Sequence, residues 1–381
     1  MWSPFNKRAI AAACLLAAAQ AAPLDPRSSI KIDFPGDSPV TLLSADVGES
    51  RATARGGAMV LDLRMALLLR NAGSHRIRGV TILVTAQEVT PGGKGSVAVP
   101  SLDVAPGESF PLRIDLQLLR PLQPGSGPLV HVSLDGVLFH DFSFYGPNRL
   151  DSKRSLTVWE LEAQRDRQYF KSILQAYGPQ GLQRAALDSL ERQAARPRLD
   201  VQVARGGRST SAAAGGGERQ VQFAFLQFPD SPIEPVRGVA QIAGHEARSP
   251  HIQVRNRSKQ AVRHYEIGWI VKDREGKEFW AATVPASDPD AILMPGQQGS
   301  ALQNTSLRFL REQGTPLPIQ SMMGFVSQVE FADGKVWVPD RQSLENAQLL
   351  RVLAPSPEEQ RLSDLYRKKG LSAMVEELKK Y

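Results

Sequence analysis

Cysteine is nearly absent from this chain of 381 residues: there is one, Cys14, close to the N-terminus. A single thiol closes no internal disulfide and builds no cysteine-based zinc site, so packing and hydrogen bonds have to hold the fold. Histidine is scarce too, with six in all. In "GHEAR" the position four residues after His245 is Ser249, so the paired histidines of a zinc-protease helix are missing. No histidine follows an aspartate at the spacing that completes a Gly-Asp-Ser hydrolase triad, which leaves Ser38 in "PGDSP" as the one nucleophile candidate. The triple glycine at 215–217 lacks the Lys-Ser/Thr of a phosphate loop, and no cofactor is expected.

Charge of one sign is not concentrated either. The chain holds 46 Lys and Arg against 39 Asp and Glu, a mild excess spread along its length. The densest basic run, at 366–370, falls on a predicted helix beside acidic residues and reads as a solvated face, so no nucleic-acid partner is expected.

Long apolar runs are confined to one place. Lys7 and Arg8 precede an alanine-rich stretch that ends in small residues and Pro23, the pattern of a secretory signal peptide with Ala19 and Ala21 suited to an Ala-x-Ala cleavage site. The stretch is shorter than the roughly 20 apolar residues a membrane helix needs. The expectation is an exported bacterial protein, periplasmic or secreted, with residues 1–21 removed and no transmembrane span after cleavage; lipidation of Cys14 is the alternative fate of this segment.

What is present is a repeat. "FPGDSPV" from Phe34 returns as "FPDSPI" from Phe228, and "LRN" at Leu69 returns as "VRN" at Val254. Pro106-Gly107 answers Pro295-Gly296, Pro147 answers Pro339, and "GLQRAALDSLER" from Gly181 answers "GLSAMVEELKK" from Gly370. The fragments keep their order at offsets of 185 to 194 residues, far longer than the unit of a solenoid, so the pattern implies two whole duplicated domains.

Each copy reads as short strands. Tyr265, Ile267, Trp269 and Val271 alternate with smaller or polar residues, the period of a half-buried strand. A two-residue turn at Glu275-Gly276 pairs Val271 with Trp280 and Trp269 with Ala282, placing both tryptophans in the core. Asp333-Gly334 signals a second hairpin, with Phe331 opposite Val336, Val329 opposite Val338, and Trp337 outward beside Glu330. Strands punctuated by glycine and proline, with no helix between them, point to antiparallel sandwiches. Asn71, Gly73 and Pro106-Gly107 in one copy, and Asn256, Ser258 and Pro295-Gly296 in the other, resemble the corner and turn of bacterial extracytoplasmic immunoglobulin-like modules of the CARDB type. The resemblance spans about 60 residues per copy and implies a fold, not an activity.

Helical spacing takes over after each sandwich. Thr157 with Glu160 forms a predicted capping box, Trp159, Ala163, Phe170, Ile173 and Tyr177 form the stripe, and Gly178-Pro179 breaks the helix. Ser356, Pro357 and Glu359 start the second pair, which breaks at Gly370. The expected fold class is mainly β, with two tandem immunoglobulin-like sandwiches each followed by a short helical pair. The expected divisions are sandwich 30–155, helices 156–196, flexible linker 197–220, sandwich 221–353 and helices 354–381.

With no convergent catalytic set, the expected function is non-enzymatic contact with a protein or a cell-surface polysaccharide. Trp337, with Glu330 beside it, is the candidate binding platform of an accessory carbohydrate-binding protein. His131 and His140 bracket a predicted turn at Asp135-Gly136 and form the candidate metal pair, and a hydrolase using Ser38 is the enzymatic alternative.

Overall fold

The structure, a computed structural model, describes residues 22–25, 28–89, 91–122, 127–205, 219–285, 292–302 and 305–381. The expected leader with Cys14, and residues 206–218 of the expected linker, lie outside them. Among the described residues the chain is mainly β with four α-helices, and it divides into two compact units. The first runs to Pro147 apart from Pro100–Leu102, and the second comprises that short piece and Asn148–Tyr381.

The first unit holds strands β1 (Ala22–Pro23), β2 (Ile30–Asp33), β3 (Val40–Asp46), β4 (Arg51–Arg55) and β5 (Ala58–Asn71). They continue as β6 (Ile77–Thr85), β7 (Lys94–Val99), β8 (Ser109–Pro121), β9 (Val130–Phe139) and β10 (Phe144–Tyr145). In one sheet β5 is central, with β8 along one edge and β3 and β4 sharing the other; β1 lies outside β4. In the other sheet β7, β6 and β9 are antiparallel neighbours, and β9's far edge takes β10 and, in parallel, β2. Strand β5 alternates buried Leu61, Leu63, Met65, Leu67 and Leu69 with exposed partners, as a sheet with one wet face requires. Strand β6 is buried on both faces through Leu83.

The second unit opens with helix α1 (Ser152–Ala195) and continues with β11 (Leu199–Arg205), β12 (Arg219–Gln222), β13 (Ala224–Leu226), β14 (Ile233–Ala243), β15 (Glu246–Asn256) and β16 (Val262–Asp273). Then come β17 (Glu278–Pro285), β18 (Gln298–Leu302), β19 (Thr305–Arg311), β20 (Ile319–Phe331) and β21 (Val336–Trp337), followed by helices α2 (Arg341–Asn346), α3 (Pro357–Lys369) and α4 (Leu371–Lys379). One sheet runs β11-β19-β15-β14-β12, with β18 sharing β15's edge with β19. The other runs β17-β16-β20, and β20's far edge takes β21 and, in parallel, β13. The sandwich-like core between these sheets centres on Trp269, 1% exposed, which meets Phe223 edge-on at 4.7 Å.

The corners bond alike in both units. Asn71 and Asn256 are 0% exposed, and each ends a strand. The Asn71 amide donates to the carbonyls of His75 and Val104 and accepts from the Gly73 N–H; the Asn256 amide donates to Gln260 and Leu293 and accepts from the Ser258 N–H. One short side chain thereby ties three backbone groups of the corner together, beside the Ile77–Val104 and Val262–Leu293 bridges that share its carbonyl acceptors. The turns behind them, at Gly107 (φ 80°) and Gly296 (φ 75°), need the left-handed backbone that glycine permits, and each donates its N–H to the asparagine carbonyl. Upstream, the Ser38 and Ser231 hydroxyls donate to the carbonyls of Val40 and Ile233.

The helices depart from the expected plan. Helix α1 belongs to the second unit and packs with α3 and α4, burying Phe170, Leu182, Ala186, Leu362, Met374 and Leu378 together. It starts at Ser152, so Thr157 lies inside it and caps nothing; the Glu160 carboxylate turns instead to Arg167 at 2.6 Å. The break at Gly178 (φ 66°) is where Pro179 demands it, and Tyr177 beside it is exposed rather than part of the stripe. Ser356 does cap α3, accepting from the Glu359 N–H at 3.0 Å, and Gly370 separates α3 from α4. The segment 199–205, expected as linker, is a strand paired along its whole length with β19.

Replacing Asn256 with Ala removes one donor from the Gln260 and Leu293 carbonyls, which keep the Ser258 hydroxyl and the Val262 N–H, and takes the acceptor from the Ser258 N–H, at about 1–3 kcal/mol for the group left unsatisfied. The expected outcome in urea unfolding is a loss of about 2–3 kcal/mol for Asn256→Ala, against about 1 kcal/mol for the outer Ser258→Ala.

Candidate functional site

Ser155, Trp159, Glu162 and Arg165 recur every three or four residues on α1 and therefore share one face. Beyond the Gly178 break, Ser189, Arg192 and Gln193 extend the same lining. Opposite stand Glu266 of β16, Trp280 and Thr283 of β17, and Phe325, Ser327 and Gln328 of β20. A cavity of about 390 Å³ lies among these groups, with Leu344 of α2 and the chain at 353–357 completing its lining. It lies wholly within the second unit and has the size of a small-ligand site, roughly 300–1,000 Å³.

Trp280 reaches this cavity through a bulge. Trp269 pairs with Ala282 as the alternation predicts, but the register shifts after Trp269, so Ile270 pairs with Trp280 and Val271 with Phe279. One extra residue exchanges the faces: Phe279 enters the core and Trp280 turns to the outer side with Ile270. The turn is also longer than two residues, because the Asp273 carboxylate accepts from the N–H groups of Glu275 and Lys277 and holds a wider loop. On the same outer side Gly268 leaves room for the Phe325 ring; a Cβ there would stand 2.3 Å from its tip.

Behind the α1 wall lies a buried ionic network. The Arg341 guanidinium on α2 reaches Asp166 of α1 at 3.2 Å and Glu359 of α3 at 3.0 Å, and it lies 4.2 Å over the Tyr169 ring. Asp166 also takes Arg165 at 3.1 Å and the Ser356 hydroxyl at 2.6 Å; Glu359 takes Arg192 at 2.9 Å and the Ser189 hydroxyl at 2.7 Å. Next to it Arg167 joins Glu160 and Glu358, and Arg361 links Glu358 to Glu377 at 2.7 Å. Burial raises the Glu359 carboxyl, but Arg341, the Ser189 hydroxyl and Arg192 outweigh it and hold the group below the usual carboxylate range.

Glu162 is the contrasting group. It is half-buried on the cavity wall, and burial pushes its carboxyl up to about 7, with Arg165 opposing and Asp166 adding to the rise.

The expected site residues fall elsewhere. The turn at 332–334 shifts the β20–β21 pairing by one residue, so Trp337 faces Val329 and Glu330 faces Val336. Trp337 is half-buried, packs on Phe228 with ring centres 6.4 Å apart, and donates its indole N–H to Asp230 at 2.9 Å. It is a packed side chain and not an open platform. Glu330, half-buried, sits 3.8 Å from Arg154. His131 and His140 do not meet, because β9 runs straight through Asp135-Gly136. Asp135 is the bulged residue of its pairing with β6, so the signal read as a turn is a bulge. His131 lies 3.7 Å from Asp33, and His140 stacks on His75. Ser38 is buried in its own turn, donating to Val40. Among the described residues, no group of three or more His, Cys, Asp or Glu side chains is placed to hold a metal, and no helix is long and apolar enough to cross a membrane.

No family model matches the chain, and no curated protein matches it. Among solved structures, a red sea bream transglutaminase aligns at 8% identity over 79% of this chain and 31% of that one, with a TM-score of 0.12. A structure titled "pT26-6p" aligns at 7% identity over 89% and 72%, with a TM-score of 0.13. The chain thus spans about a third of the transglutaminase's length, and neither likeness carries an argument about fold or activity.

Arg341→Ala leaves Asp166 and Glu359 buried with one cation fewer between them, and the expected cost in chemical denaturation is about 3–5 kcal/mol. For Glu162 the folded-state value lies above the unfolded one. The stabilisation tied to its proton is therefore complete below about pH 4.5 and is lost as pH rises through about 7. Melting curves should show Glu162→Gln gaining on the parent protein across that window, with no further gain above it.

Proposed function

We propose that the chain is an exported, non-enzymatic interaction protein made of two immunoglobulin-like sandwiches descended from one duplicated module, and that its contact site is the cavity of the second unit. The observation that carries the functional part is the state of the polar groups there. Two indoles line the cavity, while its serines and most of its acids are committed to internal bonds. Ser189 donates to Glu359, whose neighbouring guanidiniums make it a poor base, and Ser356 donates to Asp166. A preformed aromatic cavity whose Ser189 and Ser356 hydroxyls are bonded to acids paired with arginines, and whose Glu162 carboxyl has no nucleophile bonded to it among the described residues, is suited to holding a ligand rather than transforming it.

The duplication is supported by matching detail. Asn71 and Asn256, Ser38 and Ser231, and the parallel strands β2 and β13 occupy corresponding places in their units, and the side-chain bonds repeat with them. Export rests on the leader pattern at residues 1–21, and the partner class is a protein or a cell-surface polysaccharide.

A second reading, an accessory carbohydrate-binding protein, draws on the same cavity: Gln193 and Gln328 beside Trp159 and Trp280 offer the amide and aromatic mixture that sugar hydroxyls and ring faces use. It moves the sugar site from Trp337 to the cavity. The hydrolase reading at Ser38 has nothing behind it beyond the sequence motif, since that hydroxyl serves its own turn.

In a panel of polysaccharides, peptides and small amines, the purified mature protein is expected to show saturable changes in tryptophan fluorescence without consuming the ligand. Trp280→Ala should weaken binding at least tenfold while Trp337→Ala leaves it in place. Turnover of an ester or amide substrate that Ser189→Ala or Ser38→Ala abolishes would overturn this assignment, and an extracytoplasmic protein whose mass does not begin at Ala22 would overturn the leader.

A further inference from the structure

We propose that the cavity of the second unit captures an organic ammonium group, with Glu162 as its counter-ion and Trp159 and Trp280 as its aromatic walls. This rests on the cavity being a binding site and names the chemistry of what it binds. The argument is one of charge pairing. Arg165 spends its guanidinium on Asp166 and on the Pro339 carbonyl, Arg192 is paired with Glu359, and Glu266 is paired with His264 at 3.1 Å. Among the described residues Glu162 alone, of the charged side chains lining the cavity, has no hydrogen bond and no ion pair.

A half-buried carboxyl that has no ion pair of its own, and shares Arg165 only at a distance, gains from a cation supplied from outside. The two indoles favour a cation that sheds water readily: an alkylammonium is drawn to an aromatic surface by roughly 0.5–2 kcal/mol, whereas a neutral sugar gains nothing from the leftover charge. The raised proton affinity of Glu162 agrees with this, since a proton is the small cation that takes the place when no ligand does. The charged groups that act on Glu162 are Arg165 and Asp166 on its own helix; Arg192 beyond the break, Glu359 on α3 and Glu266 on the sheet, itself paired with His264, line the same cavity. The ammonium group comes either from a small free amine or from a lysine side chain of a partner peptide, and the probes below separate these sources.

The experiment titrates the purified protein with n-butylammonium, tetramethylammonium, Nα-acetyl-lysine amide and its Nε-acetylated, uncharged counterpart, following tryptophan fluorescence between pH 5.5 and 8.5. The expected result is binding of the charged probes that strengthens about tenfold between pH 6 and pH 8 as Glu162 loses its proton, and none of the uncharged one. Glu162→Gln, nearly isosteric, should lose at least tenfold in affinity and flatten the pH profile, while Glu162→Asp keeps the pH dependence. A tighter fit for the lysine amide than for butylammonium assigns a peptide source, and the reverse assigns a free amine. Ammonium binding indifferent to pH and to Glu162→Gln overturns the proposal, as does no ammonium binding beside binding of a neutral glycan; the glycan result leaves the binding role itself intact. Turnover in place of binding removes both.

Discussion

The second unit depends on one guanidinium. Arg341 stands at the start of a six-residue helix and touches a carboxylate on each of two other helices, Asp166 and Glu359. Both acids are buried, so each must be neutralised in place, and Arg341 is the guanidinium that reaches both. Arg165, Arg192 and two serine hydroxyls fill the remaining acceptor positions, which is what makes a buried ionic cluster of this size tolerable. The result is a helical layer whose spacing is set by hydrogen-bond lengths. The cavity wall formed by α1 inherits that precision, as preorganised sites require.

Seen from the cavity, the network explains why Glu162 is unusual. Its neighbours are committed to structure, and it is not. A carboxyl on the same helix as Asp166, one turn away, thus has a different chemistry because the guanidiniums were already taken by the deeper acid. The sheet contributes in the same spirit: the bulge after Trp269 sends Trp280 outward and Phe279 inward, and Gly268 lets Phe325 lie close to the strand. The asparagine corners play the corresponding role for the sheets, fixing where each long strand ends by tying its last residue to the chain that turns back beside it.

Much of this plan is legible in the sequence. The alternation in β16 is that of a half-buried strand, Trp269 is buried as that pattern implies, and Ser356 and Gly370 bound α3 as helix punctuation suggests. Asn71 and Asn256 stand out as corner residues from their place ahead of Gly73 and Ser258 and of the later Pro-Gly turns. The candidate site is another matter. Trp337 and Trp280 exchange roles, because both hairpins depart from two-residue turns and a register change of one residue moves a side chain to the opposite face. Asp135-Gly136 has the composition of a turn and the geometry of a bulge, so His131 and His140 stay at opposite ends of one strand.

Local rules were enough to determine the long alternating strands, the Ser356 cap and the corner asparagines, though not the start of α1 or the strand at 199–205, since propensity, period and turn chemistry act over a few residues and are written there. Which sheet α1 covers, which carboxylate claims which arginine, and that Trp159, Trp280 and Glu162 share one cavity were decided only by tertiary structure. Those outcomes turn on bulges and on competition among charges more than 150 residues apart, as between Arg341 and Asp166, and no window along the chain contains both competitors.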